Sequence, residues 1–505
     1  MKKKNNYVVK SFLWGGGAKI LDAFIKFISV PLLLSYFGKS NFGLVSLAVS
    51  VNAYLGLLDM GINTGAIKHF SEWIASKKFD LVDSVARTSI TFYMIIGSIN
   101  SLVLIIIAFS GINIFSLDSE HQLMMRDLFL ILAVFAIINW STSVFNQLLT
   151  ANENISYIQR FNVFRSIAGL ILIFLTTYFK LSLTNYFFLF TLINSLVLVP
   201  FYLKANKDGL IKKFKPALDW TNFKAVFKYS LAILAIGIFS FSATKLRPII
   251  LAMFSEGSIG AVSDYRIMET ITLFIISIGG MFISIFLPKT TKLLLENDKS
   301  KVEAFAYEAT TYTSIICIVL CLPIMLNSNE ILTLYVGEKY VYLSKWLNLW
   351  VITILFYLHN SPIASLVLST GKTKLLVYCS AISCMVSIAI NAFLCKYLEA
   401  GSAVVGYSVY ILIQMSFYYF YFNNKVLGLS SFKVFKSFVF PTFLGGVSFL
   451  IIYLVKIKFE NIVLSILLRS TLWSLIFICF LFITKILKIK LIQEQLVAVL
   501  NKKGK

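Results

Sequence analysis

Lys19, Asp22 and Lys26 stand at i, i+3 and i+7 in an otherwise apolar stretch. On a helix that spacing puts all three on one face, within about 60°. Asp59 interrupts a second apolar stretch, Arg165 a fifth, Lys245 and Arg247 a seventh, and Asp264, Arg266 and Glu269 an eighth. Ionisable groups at such positions are costly in lipid and ordinarily face a partner or a hydrated cavity. Guanidinium and ammonium groups suit phosphate oxygens. These charges predict a hydrated cavity between two lobes, with cations for an anionic ligand. Its competitor is a set of paired charges that merely lock helices together. Lys19 and Asp59 lie at similar depth, about 27 Å below a shared outer turn at 37–41 at 1.5 Å per residue, and could pair.

Other polar groups have plainer readings. His359 and Asn360 precede Pro362 in a tenth stretch. They predict a hydrogen-bonded kink, with a proton relay as the alternative. Arg469, inside the last stretch, either snorkels or lines a lateral groove. Asn139, Asn146 and Gln147 read as interhelical hydrogen-bond glue. The six cysteines sit in or beside apolar stretches without a C-x-x-C pair, as buried thiols do. Ser369-Thr370-Gly371-Lys372-Thr373 imitates the end of a phosphate-binding loop, but its first glycine would stand at Leu366. The sequon Asn154-Ile155-Ser156 falls in a loop expected on the cytoplasmic side. No nucleophile–base constellation or metal cluster is visible, so the chain does not read as an enzyme.

The elements that position these residues follow from composition. Of 505 residues 58% are hydrophobic and only 14% charged, against about 25% charged in soluble domains. An all-α polytopic membrane protein is expected. Stretches long enough to cross a bilayer lie near 11–37, 41–66, 85–111, 122–149, 157–179, 183–203, 227–253, 258–287, 304–326, 345–369, 374–396, 400–422, 433–455 and 461–484, about fourteen in all. Lysines gather in alternate loops, above all 204–228, and in both tails, which places both termini in the cytoplasm. Loop 456–460, with Lys456 and Lys458, is the one awkward outer loop. The net charge of +23 is spread over these loops and forms no nucleic-acid patch. The first stretch carries Lys19, Asp22 and Lys26 and no A-x-A site, so it reads as a retained helix rather than a signal peptide.

A repeat organises the stretches. PLLLSYFGKSNFGLVS (31–46) and PIILAMFSEGSIGAVS (248–263) share Pro31/Pro248, Leu34/Leu251, Phe37/Phe254, Gly43/Gly260, Val45/Val262 and Ser46/Ser263. Both segments run outward, so the repeat is parallel. We expect an N-terminal lobe with the start of its linker over 1–215, a second six-helix lobe over 216–426, and two extra helices with a tail over 427–505.

The segments Tyr36-Phe-Gly-Lys-Ser-Asn-Phe-Gly-Leu-Val-Ser, Leu57-Leu-Asp-Met-Gly-Ile62 and Phe254-Ser-Glu-Gly-Ser-Ile-Gly-Ala-Val-Ser-Asp-Tyr-Arg266 resemble signatures of bacterial polysaccharide flippases, closest to the Wzx-type O-antigen flippases of the multidrug/oligosaccharidyl-lipid/polysaccharide exporter superfamily. The resemblance implies transport of undecaprenyl-diphosphate-linked oligosaccharide units across the bacterial cytoplasmic (inner) membrane by alternating access. It implies that Lys19, Lys26, Lys245, Arg247 and Arg266 meet the diphosphate or acidic sugars; Arg165, from its place in the fifth stretch, is expected to add a cation to the same cavity. Asp22, Asp59, Asp264 and Glu269 would tune or couple those charges, and His359, as a titratable group, is a separate coupling candidate. No cofactor is implied; a proton or sodium gradient, or the membrane potential, would drive transport. Partners would be membrane lipids, a polysaccharide polymerase and chain-length machinery, and no nucleic acid. A multidrug-exporter-like antiporter and a lipid II flippase are rival readings. A membrane-embedded glycan polymerase is disfavoured by the short outer loop at 327–344.

Overall fold

The structure is a computed structural model describing the backbone of residues 2–486 apart from 60, 297, 372 and 456–458, and side chains from 17 onward apart also from 19–20, 229, 232–233, 235–236, 278–285, 287–288 and 373. The described residues form no strand. The α-helices in chain order are α1 (Lys2–Leu55), α2 (Ile62–Ala75), α3 (Phe79–Ile106), α4 (Ser119–Ala151), α5 (Ile155–Phe179), α6 (Leu183–Ser195), α7 (Leu198–Lys207), α8 (Trp220–Lys245), α9 (Arg247–Phe254), α10 (Ser258–Leu295), α11 (Lys299–Leu326), α12 (Ser328–Val336), α13 (Ser344–His359), α14 (Ser361–Ser369), α15 (Thr373–Leu398), α16 (Ala400–Phe417), α17 (Ser431–Val455) and α18 (Ile462–Ile483).

Among the described residues eleven helices are long and apolar enough to cross a membrane, and the pair Gly237–Lys245 and Arg247–Phe254, bent by 42°, makes a twelfth. The fourteen expected stretches are thus not all counted apart. Stretch 11–37 and the first part of 41–66 run together in α1, where Gly38 alone leaves helical geometry (φ 80°, ψ 173°), and the rest of 41–66 falls in the Gly56–Asp59 turn and the start of α2. A positive φ of this kind favours glycine. Stretch 258–287 lies within α10, where residues 278–285 carry no described side chains.

Polar residues in the loops start several helices. Asp118, Ser182, Asp219, Asp298 and Asn461 each accept a hydrogen bond from a first-turn backbone N–H, satisfying donors that lipid cannot.

The chain divides into two compact units, Met1–Ser277 with Thr373–Tyr410, and Ile278–Lys372 with Ile411–Lys505. In the first unit α1 packs on α5, α3 on α4, α2 on α4 and α8, and α8 and α9 on α15. One core cluster joins Ile62 and Phe70 of α2, Val82 and Tyr93 of α3, Phe145 and Leu148 of α4, and Phe223 and Val226 of α8. Gly61 and Gly65 let α2 approach α8 closely. A Cβ on Gly61 would stand 2.7 Å from the Ser230 carbonyl oxygen, and one on Gly65 3.0 Å from that of Val226, the small-xxx-small packing of membrane helices.

The segment 210–219 before α8 is a strap laid along the start of α3. Leu210 and Ile211 are fully buried in the same core. The Lys212 backbone N–H donates to Asp83 at 2.6 Å and Lys212 Nζ meets Asp80 at 2.7 Å. Arg87 Nε donates to the Lys215 carbonyl at 2.9 Å. Thr91 Oγ1 donates to the Ala217 carbonyl at 2.6 Å. The Asp219 N–H donates to Thr88 at 2.9 Å, and Ser84 donates to the Asp219 carboxylate at 2.7 Å. Asp219 is held below the usual carboxylate range by hydrogen bonds from Asn222 and Ser84.

In the second unit α11 packs on α17 and α13, and α17 on α18. Fully buried Trp473 donates to the Gly445 carbonyl at 3.2 Å. Arg469 pairs with Glu330 of α12 at 2.7 Å.

Candidate functional site

A cavity of about 460 Å³ opens in the first unit between α1, α5, α6 and α10. It gathers Asp22, Lys26, Arg165 and Arg266 from the residues singled out in the sequence. Asp22 is the organiser. One carboxylate oxygen binds Lys26 Nζ at 2.7 Å and the other accepts from Ser166 of α5 at 2.7 Å. This pins α1 to α5 and leaves the Lys26 side chain 66% exposed. On α10, Arg266 is paired with Glu269 one turn further along. The two helices thus present the same device, a cation steadied by a carboxylate on its own helix, so neither charge stands in the cavity without an acidic neighbour. The remaining wall is aromatic and hydroxylic. Tyr186, Phe190 and Asn194 line it from one face of α6, with Ser29, Ser46 and Thr270. The Tyr186 and Phe190 rings stack with centroids 6.0 Å apart.

The other singled-out residues stand elsewhere. The Lys19 side chain, and with it the suggested Lys19–Asp59 pair, lies outside the described residues. Asp59 sits in a single turn, Gly56–Asp59, that interrupts the helix ahead of Gly61. It accepts from Tyr93 and from the Asn63 N–H, while Gln147 donates to Tyr93 at 2.7 Å. Asp264, its carboxylate 3% exposed, pairs with Lys39 at 2.8 Å. That pair and a hydrogen bond from Ser263 to the Lys39 carbonyl join the two repeated segments. Gly43 permits the contact, since a Cβ there would meet the Ile259 carbonyl and Ser263 Oγ.

The cavity lining, among the described residues, includes neither Lys245 nor Arg247. Lys245 is half-buried at the end of α8. Arg247, at the bend into α9, is 5% exposed and lies over the Tyr407 ring, 4.2 Å from its centroid, a cation–π contact. His359 is fully buried at the end of α13, 3.0 Å from the Tyr419 hydroxyl and stacked on Phe438 at 3.8 Å. α13 stops there and α14 begins at Ser361. Of the helix-four amides, Asn139 accepts from Ser195 of α6 at 2.8 Å and Gln147 reaches α3, whereas Asn146 bonds Thr150 on its own helix.

The sequence reading missed Ser166, Lys39 and the α6 face. Tyr186, Phe190 and Asn194 recur at i, i+4 and i+8, a signal that was available. Among the described residues no group of three or more His, Cys, Asp and Glu side chains could hold a metal ion.

Residues 8–294 match the family described as polysaccharide biosynthesis protein. None of the curated proteins matches the chain. Among solved structures, the lipid II flippase MurJ in an inward closed conformation superposes with a TM-score of 0.74 at 16% identity, covering 94% of this chain and 97% of that one. An inward-facing multidrug resistance MATE family transporter of the MOP superfamily gives 0.63 at 14% identity, over 79% of this chain and 93% of that one. A MOP superfamily transporter from Pyrococcus furiosus gives 0.57 at 14% identity, over 81% and 94%. These likenesses establish the fold, a multi-pass helical membrane transporter fold.

Proposed function

The chain belongs to the polysaccharide biosynthesis protein family, and on that premise we propose that it is a flippase for undecaprenyl-diphosphate-linked polysaccharide repeat units, O-antigen units in particular. It carries them from the cytoplasmic to the periplasmic leaflet of the inner membrane. The observation that carries the reading is the cavity in which Lys26, Arg165 and Arg266 converge beside an aromatic and hydroxylic wall. Cations of this kind engage a diphosphate, and stacked rings with hydroxyl and amide groups suit sugar faces and edges. A glycan headgroup cannot cross hydrocarbon unaided, because each unsatisfied polar group costs several kcal/mol. A polar-lined passage exposed to each side in turn removes that cost. The acids beside Lys26 and Arg266 weaken the hold on the diphosphate enough for release on the far side. Driving force from an ion gradient or the membrane potential belongs to the same proposal.

The test is complementation of two hosts, one lacking its O-antigen flippase and one lacking its lipid II flippase. The chain restores O-antigen display in the first. Lys26→Ala, Arg165→Ala and Arg266→Ala each reduce display at least tenfold at unchanged membrane insertion. Rescue of the second host alone would overturn the substrate assignment, and full display from all three variants would overturn the cavity assignment.

A further inference from the structure

Two apolar grooves flank the strap on the outer face of the first unit. One, of about 420 Å³, is lined by Thr91, Met94, Ile95, Ser98, Ile99 and Leu102 of α3 and by Pro216 of the strap. The other, of about 330 Å³, runs between Met94 of α3 and residues of α4, α6 and α7, and carries Phe214 of the strap at its edge. The grooves share Met94, and strap residues two apart in sequence close one groove each. The first follows one face of α3 from 91 to 102, about 16 Å at 1.5 Å per residue. That is close to the ~15 Å depth of one leaflet's hydrocarbon.

The charge above the grooves is arranged to match. Lys212 is engaged by Asp80. Lys213 and Lys215 are exposed and form no ion pair among the described residues. Between and beyond them Phe214 (43%), Leu218 (80%) and Trp220 (49%) are exposed. Lysines alternating with exposed aromatic and aliphatic side chains are what the headgroup layer of a membrane accommodates. The strap is held on α3 through backbone hydrogen bonds of Lys212, Lys215, Ala217 and Asp219, so the two lysines are held at the head of the grooves.

We propose that this face binds one anionic two-chain glycerophospholipid of the cytoplasmic leaflet, its phosphate on Lys213 and Lys215 and one acyl chain in each groove. Two grooves select two chains; a single-chain polyprenyl phosphate leaves one groove empty. The site lies apart from the cavity of the proposed transport reaction and does not depend on it.

The experiment reconstitutes the full chain in vesicles of phosphatidylethanolamine with phosphatidylglycerol as the minor lipid. Lipids that stay bound as detergent strips the annulus are then counted by native mass spectrometry. The expected result is one retained phosphatidylglycerol per chain, favoured at least tenfold over phosphatidylethanolamine, with a preference that shrinks as salt rises. K213Q/K215Q brings the preference to near parity. Ser98→Phe fills the first groove and lowers retention of both lipids, at a thermal midpoint matching the unaltered chain. Equal retention of the two lipids, a preference that survives K213Q/K215Q, or displacement of the retained lipid by added polyprenyl phosphate would each overturn the proposal. Because no step reads transport, a flippase assignment that failed would leave this result standing.

Discussion

Removing Lys39 destabilises the protein more than neutralising Asp264, although both changes break the same ion pair. The asymmetry follows from burial: the Asp264 carboxylate is 3% exposed and the Lys39 side chain 36%, at a separation of 2.8 Å. Lys39→Met strips a buried carboxylate of its cation. Breaking a buried pair in this way costs about 3–5 kcal/mol, and the lower end applies because Lys39 reaches solvent. Asp264→Asn leaves an ammonium that swings into water, and its cost is about 1 kcal/mol, as for exposed pairs. The gap of about 2 kcal/mol is roughly a 30-fold difference in the unfolding equilibrium constant. In the double variant neither charge remains, so its cost falls back close to that of Asp264→Asn. The coupling in the cycle is then about 3 kcal/mol. Reversible unfolding in mixed micelles, followed by steric trapping, reads all four species. Equal costs for the two single changes, or an additive double variant, would refute the burial argument.

Two further expectations concern packing and protonation. Gly43→Ala lowers the thermal midpoint, with a cost of about 1–3 kcal/mol for overpacking, because its Cβ meets the backbone of Ile259; Gly446→Ala, where nothing lies within 4 Å, leaves the midpoint almost unchanged, both read as the fraction surviving size-exclusion chromatography after heating. The Asp219 carboxyl is depressed in the folded chain, so its contribution to holding the strap is present above roughly pH 4 and is lost as pH falls through the lower folded value. Hydrogen exchange at the strap amides next to Asp219, 217–219, corrected for intrinsic rates, therefore speeds up in acid, and Asp219→Asn weakens that pH dependence there while leaving the part that Asp80 contributes at Lys212.

Residue type and hydropathy located the helices well. What they left open was azimuth. Lys26 and Asp22 are four residues apart and share a face, and they do meet in the cavity. Asp264 and Arg266 are two apart, about 200° around a helix, so they had to diverge. One goes to Lys39 and the other to the cavity. The expectation that both serve one site treated depth as if it were direction. Asp59 and His359 turned on tertiary neighbours, Tyr93, Phe438 and Tyr419, that no local pattern announces. The strap was hidden for another reason. Its lysines read as a solvated linker, while its partners formed a stripe on α3 (Asp80, Asp83, Ser84, Arg87, Thr88 and Thr91) spaced at three and four residues. A polar stripe on a membrane helix calls for something polar to cover it.

That stripe also imposes a schedule on biogenesis. Arg87 and the Lys215 carbonyl it binds are 128 positions apart. At roughly 5–20 residues per second, α3 waits on the order of 10 s after synthesis before its cover exists. In that interval Arg87 has Asp83 on its own helix, and the Thr88 and Thr91 hydroxyls have the Ser84 and Arg87 carbonyls; the rest of the stripe depends on water at the membrane face. Closure of the strap then marks the moment when every helix from α4 to α7 has been delivered, and a nascent chain truncated before residue 210 presents the open stripe to quality control.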